Sequence, residues 1–121
     1  MKSLGEVTFS RAAGVPIAEL RGELDLSNIG RMATEIRGMI GNADPGLVLD
    51  LTGVTYLDSS ALRLFFELDA QLRARHQEFH IVVPGRAYIR NILRISRLDE
   101  QVSVHDALAQ AVDACAGGER P

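Results

Sequence analysis

Asp58, Ser59 and Ser60 are three short polar residues between two apolar segments. Before them runs LVLDL at 47–51, followed by the connection TGVTY; after them the stretch LDSSALRLFFEL (57–68) turns to helical periodicity. The pattern predicts a buried strand, a loop, and a helix whose first turn carries the three polar residues. Side chains in that position accept hydrogen bonds from the unpaired N–H groups of the new helix. The same N–H groups and the positive end of the helix dipole tolerate an added anion. A serine hydroxyl at the mouth of a helix is therefore a natural phosphate acceptor. The alternative reading is that Asp58 or Ser59 simply caps the helix.

Other residues also carry groups that could do chemistry. Asp58 beside Ser59 suggests a base and a nucleophile, but adjacent residues rarely adopt the required geometry and no histidine is local in sequence. His76 and His80 are four apart, yet a helix-to-strand boundary between them would prevent shared ligation, so no metal site is assigned. Arg86, Arg90, Arg94 and Arg97 form a basic stripe on a predicted helix over 86–98, which reads as a solvated face or as a contact for an acidic partner or a phosphate. Walker, Gly-x-Gly-x-x-Gly and Gly-x-Ser-x-Gly motifs are missing, so neither an enzyme nor a bound cofactor is expected.

These residues must be held by a scaffold that the hydrophobic periodicity outlines. Residues 6–11 and 15–21 read as a hairpin turned at Ala13-Gly14. Ile29, Met32, Ala33, Ile36 and Ile40 form one helical stripe, with Ser27 as the expected N-cap and Gly41 as the stop. Asp44-Pro45-Gly46 turns the chain into the 47–51 strand. In the following helix Ala61, Leu64, Phe65, Leu68 and Leu72 face inward. Leu62 and Phe66 lie off that stripe, either packed under a neighbouring helix or exposed as a docking surface beside Ser59. Strands at 80–83 and 101–104 follow, and a last helix directs Leu108, Ala111, Val112 and Cys115 inward. Cys115 reads as a small buried hydrophobe.

Alternating strands and helices predict an α/β fold with a mixed, mainly parallel sheet and an N-terminal antiparallel strand. If successive strands are neighbours, right-handed crossovers place all the helices on one face. The 121 residues suit a single domain spanning the chain, with an ordered core over about 5–115 and a tail at 117–121. A hydrophobic content of 46% with 24% charged residues fits a globular protein. The net charge of −3 disfavours direct nucleic-acid binding. No apolar run reaches membrane-spanning length, the MKSLGEVTFS start lacks a signal-peptide core, and one cysteine suits the cytoplasm.

GELDLSNI at 22–29, LVLDLTGVTYLDSSAL at 47–62 and the final strand and helix together resemble the STAS domain family. The closer resemblance is to the bacterial anti-sigma factor antagonists, over roughly residues 5–115. It implies helices packed mostly on one sheet face and a phosphorylation-switched binding module. The implied partner is an anti-sigma factor with a histidine-kinase-like ATP-binding fold, bound when Ser59 is unmodified; that kinase phosphorylates Ser59 and a phosphoserine phosphatase resets it. The partner-binding residues assigned on this basis are Asp25, Asp58, Ser60, Leu62 and Phe66. For Asp25, a turn or helix-start residue is the competing reading. Ala61 departs from the family's usual glycine, which preserves the helix but bears on how closely a partner backbone approaches Ser59. The alternative function is a constitutive STAS scaffold in a lipid-transport or sensory complex.

Overall fold

Hydrophobic alternation in the strands sets up a sheet with two unlike faces. A computed structural model of the protein describes residues 4–117, so residues 118–121 of the expected tail lie outside it. The elements are β1 (Gly5–Ala12), β2 (Val15–Leu24), α1 (Ile29–Met39), β3 (Gly46–Leu57), α2 (Ser59–Ala74), β4 (Glu78–Val82), α3 (Tyr88–Ile95), a short 3₁₀ turn (Leu98–Glu100), β5 (Ser103–His105) and α4 (Leu108–Gly117). The five strands lie in sequence order, β1 antiparallel to β2 and the remaining pairs parallel. Ala13 and Gly14 close the first hairpin, both at positive φ, as a two-residue turn between twisted strands requires.

On one face Ala18, Leu20, Leu47, Leu49, Leu51 and Ile81 pack against α1, α2 and α3, with Phe65 of α2 fully buried among them. On the other face Val15, Ile17, Val48 and Val82 meet Ala111, Val112 and Cys115 of α4. Three of the four helices share one face, as the family resemblance implies; α4, which the crossover expectation put with them, covers the other. The crossover rule governs helices that join parallel strands. It says nothing about α4, which follows the last strand and is free to cover the bare side.

Two further expectations are revised. Residues 52–56 are strand, not loop: β3 continues to Leu57 and keeps pairing with β2 through Gly22↔Val54 and Leu24↔Leu57. Two register shifts absorb extra β3 residues, and Gly22, at φ +80, sits where a Cβ would strike the Leu4 carbonyl. The basic stripe is also shorter than its spacing suggested. Helix α3 ends at Ile95, Arg97 adopts a left-handed conformation and pairs with Glu100, and Arg90 turns in to the Val83 carbonyl and Asp106.

Candidate functional site

The parallel β2–β3 ladder brings two loops together at the end where its strands finish. Beyond the Leu24↔Leu57 pair, the Asp58 N–H donates to the Leu24 carbonyl at 3.1 Å. The Asp58 carboxylate then joins both loops. Its Oδ1 accepts from the Ser60 N–H (2.9 Å), the Ala61 N–H (3.2 Å) and the Ser60 hydroxyl (2.5 Å), while Oδ2 accepts from the Leu26 N–H (3.2 Å). Asp58 is thus the N-cap of α2 and also the clamp on the β2–α1 loop. The Ser60 hydroxyl, followed by the Ala61, Leu26 and Ser60 N–H groups, holds its carboxyl below the usual carboxylate range against the opposing effect of burial.

Ser59 is the first residue of α2 and is exposed. No described residue hydrogen-bonds its hydroxyl, whereas Ser60 is half-buried and committed to Asp58. Asp25 lies in the adjoining loop. Its Oδ1 accepts from the N–H (2.9 Å) and hydroxyl (2.5 Å) of Ser27, and its carbonyl accepts from the Ile29 N–H at 2.9 Å. Ser27 is therefore not the N-cap of α1; Asn28 occupies that position, without a side-chain capping bond. Asn28 instead braces the loop, accepting from the Asp25 N–H and donating to the Glu23 carbonyl. The Ser27 N–H and hydroxyl both turn back to the Asp25 carboxylate two residues away, which holds Ser27 in the loop ahead of the helix start.

An open groove of about 550 Å³ runs past these residues, lined by Leu26, Asp58, Ser59, Ser60 and Arg63. Leu26 is 80% exposed, an unusual state for a large apolar side chain. Leu62 and Phe66 are half-buried and pack against the core, so the exposed apolar group beside Ser59 is Leu26. The sequence reading did not single out Leu26 or Arg63. Helical spacing could have found Arg63, which stands four residues after Ser59. His76 and His80 do not meet: His76 is exposed at positive φ beyond α2, and His80 is buried on β4. Cys115 is buried as expected, and that burial pushes its thiol up to about 11.

The family model described as "Mlab, STAS domain" matches residues 7–110. The chain belongs to the STAS domain family. Among solved structures, this STAS domain is similar to an anti-sigma factor antagonist from Mycobacterium paratuberculosis, with a TM-score of 0.81 and 23% identity over 92% of this chain and 93% of that one. It is also similar to the anti-sigma factor antagonist SpoIIAA in its unphosphorylated form, at TM-score 0.76 and 18% identity, over 93% and 97% of the two chains. Against the phosphorylated form of the Bacillus protein SpoIIAA the TM-score is 0.69 at 18% identity, covering 89% and 97%. At these identities the likeness establishes the fold. Among the described residues of this STAS domain, no helix is long and apolar enough to cross a membrane.

Proposed function

We propose that this STAS domain is an anti-sigma factor antagonist switched by phosphorylation of Ser59. Unmodified, it binds an anti-sigma factor with a histidine-kinase-like ATP-binding fold through the surface around Ser59, formed by Asp25, Asp58, Ser60, Leu26 and the outer edges of Leu62 and Phe66. The partner transfers phosphate to Ser59 and the complex separates; a phosphoserine phosphatase restores binding. The observation that carries this reading is the exposed, unengaged Ser59 hydroxyl at the start of α2, beside a groove with an exposed leucine. That the structural neighbour SpoIIAA is described in both phosphorylated and unphosphorylated forms supports it.

The electrostatics favour release. Phosphate brings a charge of about −1.5 to −2 at neutral pH. Asp58 already engages the N–H groups of Ser60 and Ala61 through its carboxylate and that of Leu62 through its carbonyl. Little of the helix terminus is left to stabilise a second anion. Arg63 is exposed one turn away, but a solvent-exposed i,i+4 pair contributes only about 0.3–0.5 kcal/mol. Desolvating an uncompensated charge in a partly apolar interface costs several kcal/mol, so repulsion and desolvation prevail.

A constitutive STAS scaffold in a lipid-transport or sensory complex is the second reading, since the matched family model is of the STAS domain as such and not of its switched members alone. The intact mass of protein recovered from growing cells separates the two. The switch requires a fraction heavier by one phosphate that disappears in Ser59→Ala; a single unmodified mass under all growth conditions favours the scaffold.

A further inference from the structure

The opposite end and opposite face of the sheet hold a second cluster. Glu78 and His80 are two apart on β4, so both side chains face α4 together with Val82. His105 pairs in register with Val82 on the neighbouring strand and joins the same face. Cys115 of α4 packs onto this patch. His80 Nε2 lies 2.7 Å from Glu78 Oε1, and His80 Nδ1 lies 3.0 Å from His105 Nε2. One ligand atom from each of Glu78, His80 and Cys115 falls within 4.8 Å of the others.

We propose that Glu78, His80 and Cys115 bind a zinc ion, with His105 fixing the ring of His80 from behind. One thiolate, one imidazole and one carboxylate form a donor set that zinc accepts, with water completing a tetrahedron. Bond lengths of about 2.0–2.3 Å place tetrahedral ligand atoms roughly 3.3–3.8 Å apart, so the cluster needs only a small adjustment in which the Glu78 carboxylate swings off His80 Nε2, now 2.7 Å away, to make room for the ion. Glu78 can supply it, because its side chain is 45% exposed while that of His80 is 7% exposed. The same exposure opens a path for the ion from solvent.

The histidine pair supplies the orientation a ligand needs. Without metal, both contacts are satisfied when His80 Nε2–H donates to Glu78 and His105 Nε2–H donates to His80 Nδ1. With zinc, the His80 Nε2 lone pair binds the ion as its proton is lost to solvent, the shared proton passes from His105 Nε2 to His80 Nδ1, His105 takes up a proton from solvent on Nδ1 so that its Nε2 accepts, and the Cys115 thiol proton leaves to solvent. Imidazole ligands are commonly fixed by an acceptor on their second nitrogen. The bound ion ties α4 to β4 on a face otherwise closed by a small apolar patch. The site lies far from Ser59 along the sheet, since Glu78 pairs with Gly46 at the start of β3 and Ser59 follows its end. The proposal therefore stands or falls independently of the switch.

The test is a titration of the full chain with Co²⁺, then Zn²⁺, under a non-thiol reductant. The expected result is one equivalent of cobalt giving a thiolate-to-metal charge-transfer band and tetrahedral d–d bands, both removed by zinc. His80 should change tautomer from Nε2–H to Nδ1–H in nitrogen NMR on zinc binding. Cys115→Ala and His80→Gln should abolish the bands. The exposed-site variant Glu78→Gln, which leaves the core intact, should weaken zinc binding at least about tenfold, and His105→Ala about 10–100-fold. His76→Ala should bind as the parent does. Absence of the thiolate band, or affinity unchanged in both Cys115→Ala and Glu78→Gln, would overturn the assignment.

Discussion

The two ends of the parallel sheet place their polar groups in opposite circumstances. Where β2 and β3 finish, Asp58 gathers backbone donors from both loops, and Ser59 stands outside that network in a solvent-open groove. Where β3 and β4 begin, His80 contacts both Glu78 and His105 beneath α4, with Cys115 buried alongside. The difference separates two kinds of work. In the proposed switch, the hydroxyl that no described residue engages is the phosphate acceptor and the exposed leucine beside it meets the partner. A chain of donors centred on buried His80 and open to solvent at Glu78 suits an internal clip.

The largest effect should come from the core that supports both ends. Phe65→Ala removes a fully buried ring from α2 and should cost about 3–5 kcal/mol in urea unfolding. Loss at both ends together would follow; if the Ser59 surface kept full partner affinity in that variant, the shared-scaffold account would be wrong. Asp58→Ala should be smaller and one-sided. It deletes the α2 cap, at about 0.5–2 kcal/mol, and frees the Leu26 N–H, so amide exchange should accelerate in residues 25–28 while β4 stays protected.

Acid should reveal a carboxylate at each end. Asp58 is held down chiefly by the Ser60 hydroxyl and Asp44 chiefly by Arg11, which it meets at 2.9 Å. A depressed folded value means that the unfolded chain binds more protons, so the stabilisation is complete above about pH 4 and is lost as pH falls through the folded values. Asp58→Asn keeps a capping oxygen but removes its share of that slope, and Arg11→Gln reduces the share at the other end to what the Gly41 N–H still holds on Asp44. Urea midpoints between neutral and acid pH would test both; an unchanged slope in the two variants would break the symmetry. The smallest stability effect is expected for Leu26→Ser, within about 0.5 kcal/mol, because the side chain is already in water. That variant should nonetheless weaken partner binding, separating the docking surface from the fold.

The same contrast explains what could be read from the amino-acid order. The Ser59 end is written in one continuous stretch, since a strand, a cap and a helix stripe at 57–68 are local features. Most core residues and the mixed, mainly parallel sheet with its antiparallel N-terminal strand followed from periodicity and the alternation of elements in the same way. The clip at the other end joins residues 78, 80, 105 and 115, whose meeting depends on β5 pairing with β4 and on α4 taking the free face. Neither event leaves a spacing signature. Leu26 was missed for a related reason: within GELDLSNI it continues an apolar pattern, and only the tight Asp25–Ser27 turn pushes it outward. Residues 52–56 looked like a loop because Thr52-Gly53 suggests a turn, whereas the β2 edge beside them supplied ladder partners.

The central claim is that one phosphate on Ser59 decides whether the surface beside it binds. Titration calorimetry against the cognate anti-sigma factor, with unmodified and Ser59-phosphorylated protein, tests it directly. The account predicts that phosphorylation weakens binding about 30-fold or more, corresponding to at least about 2 kcal/mol for an uncompensated interfacial charge. Ser59→Asp should show a smaller loss in the same direction, and Ser59→Ala should bind as the unmodified protein does. Equal affinity for the two forms would contradict the switch.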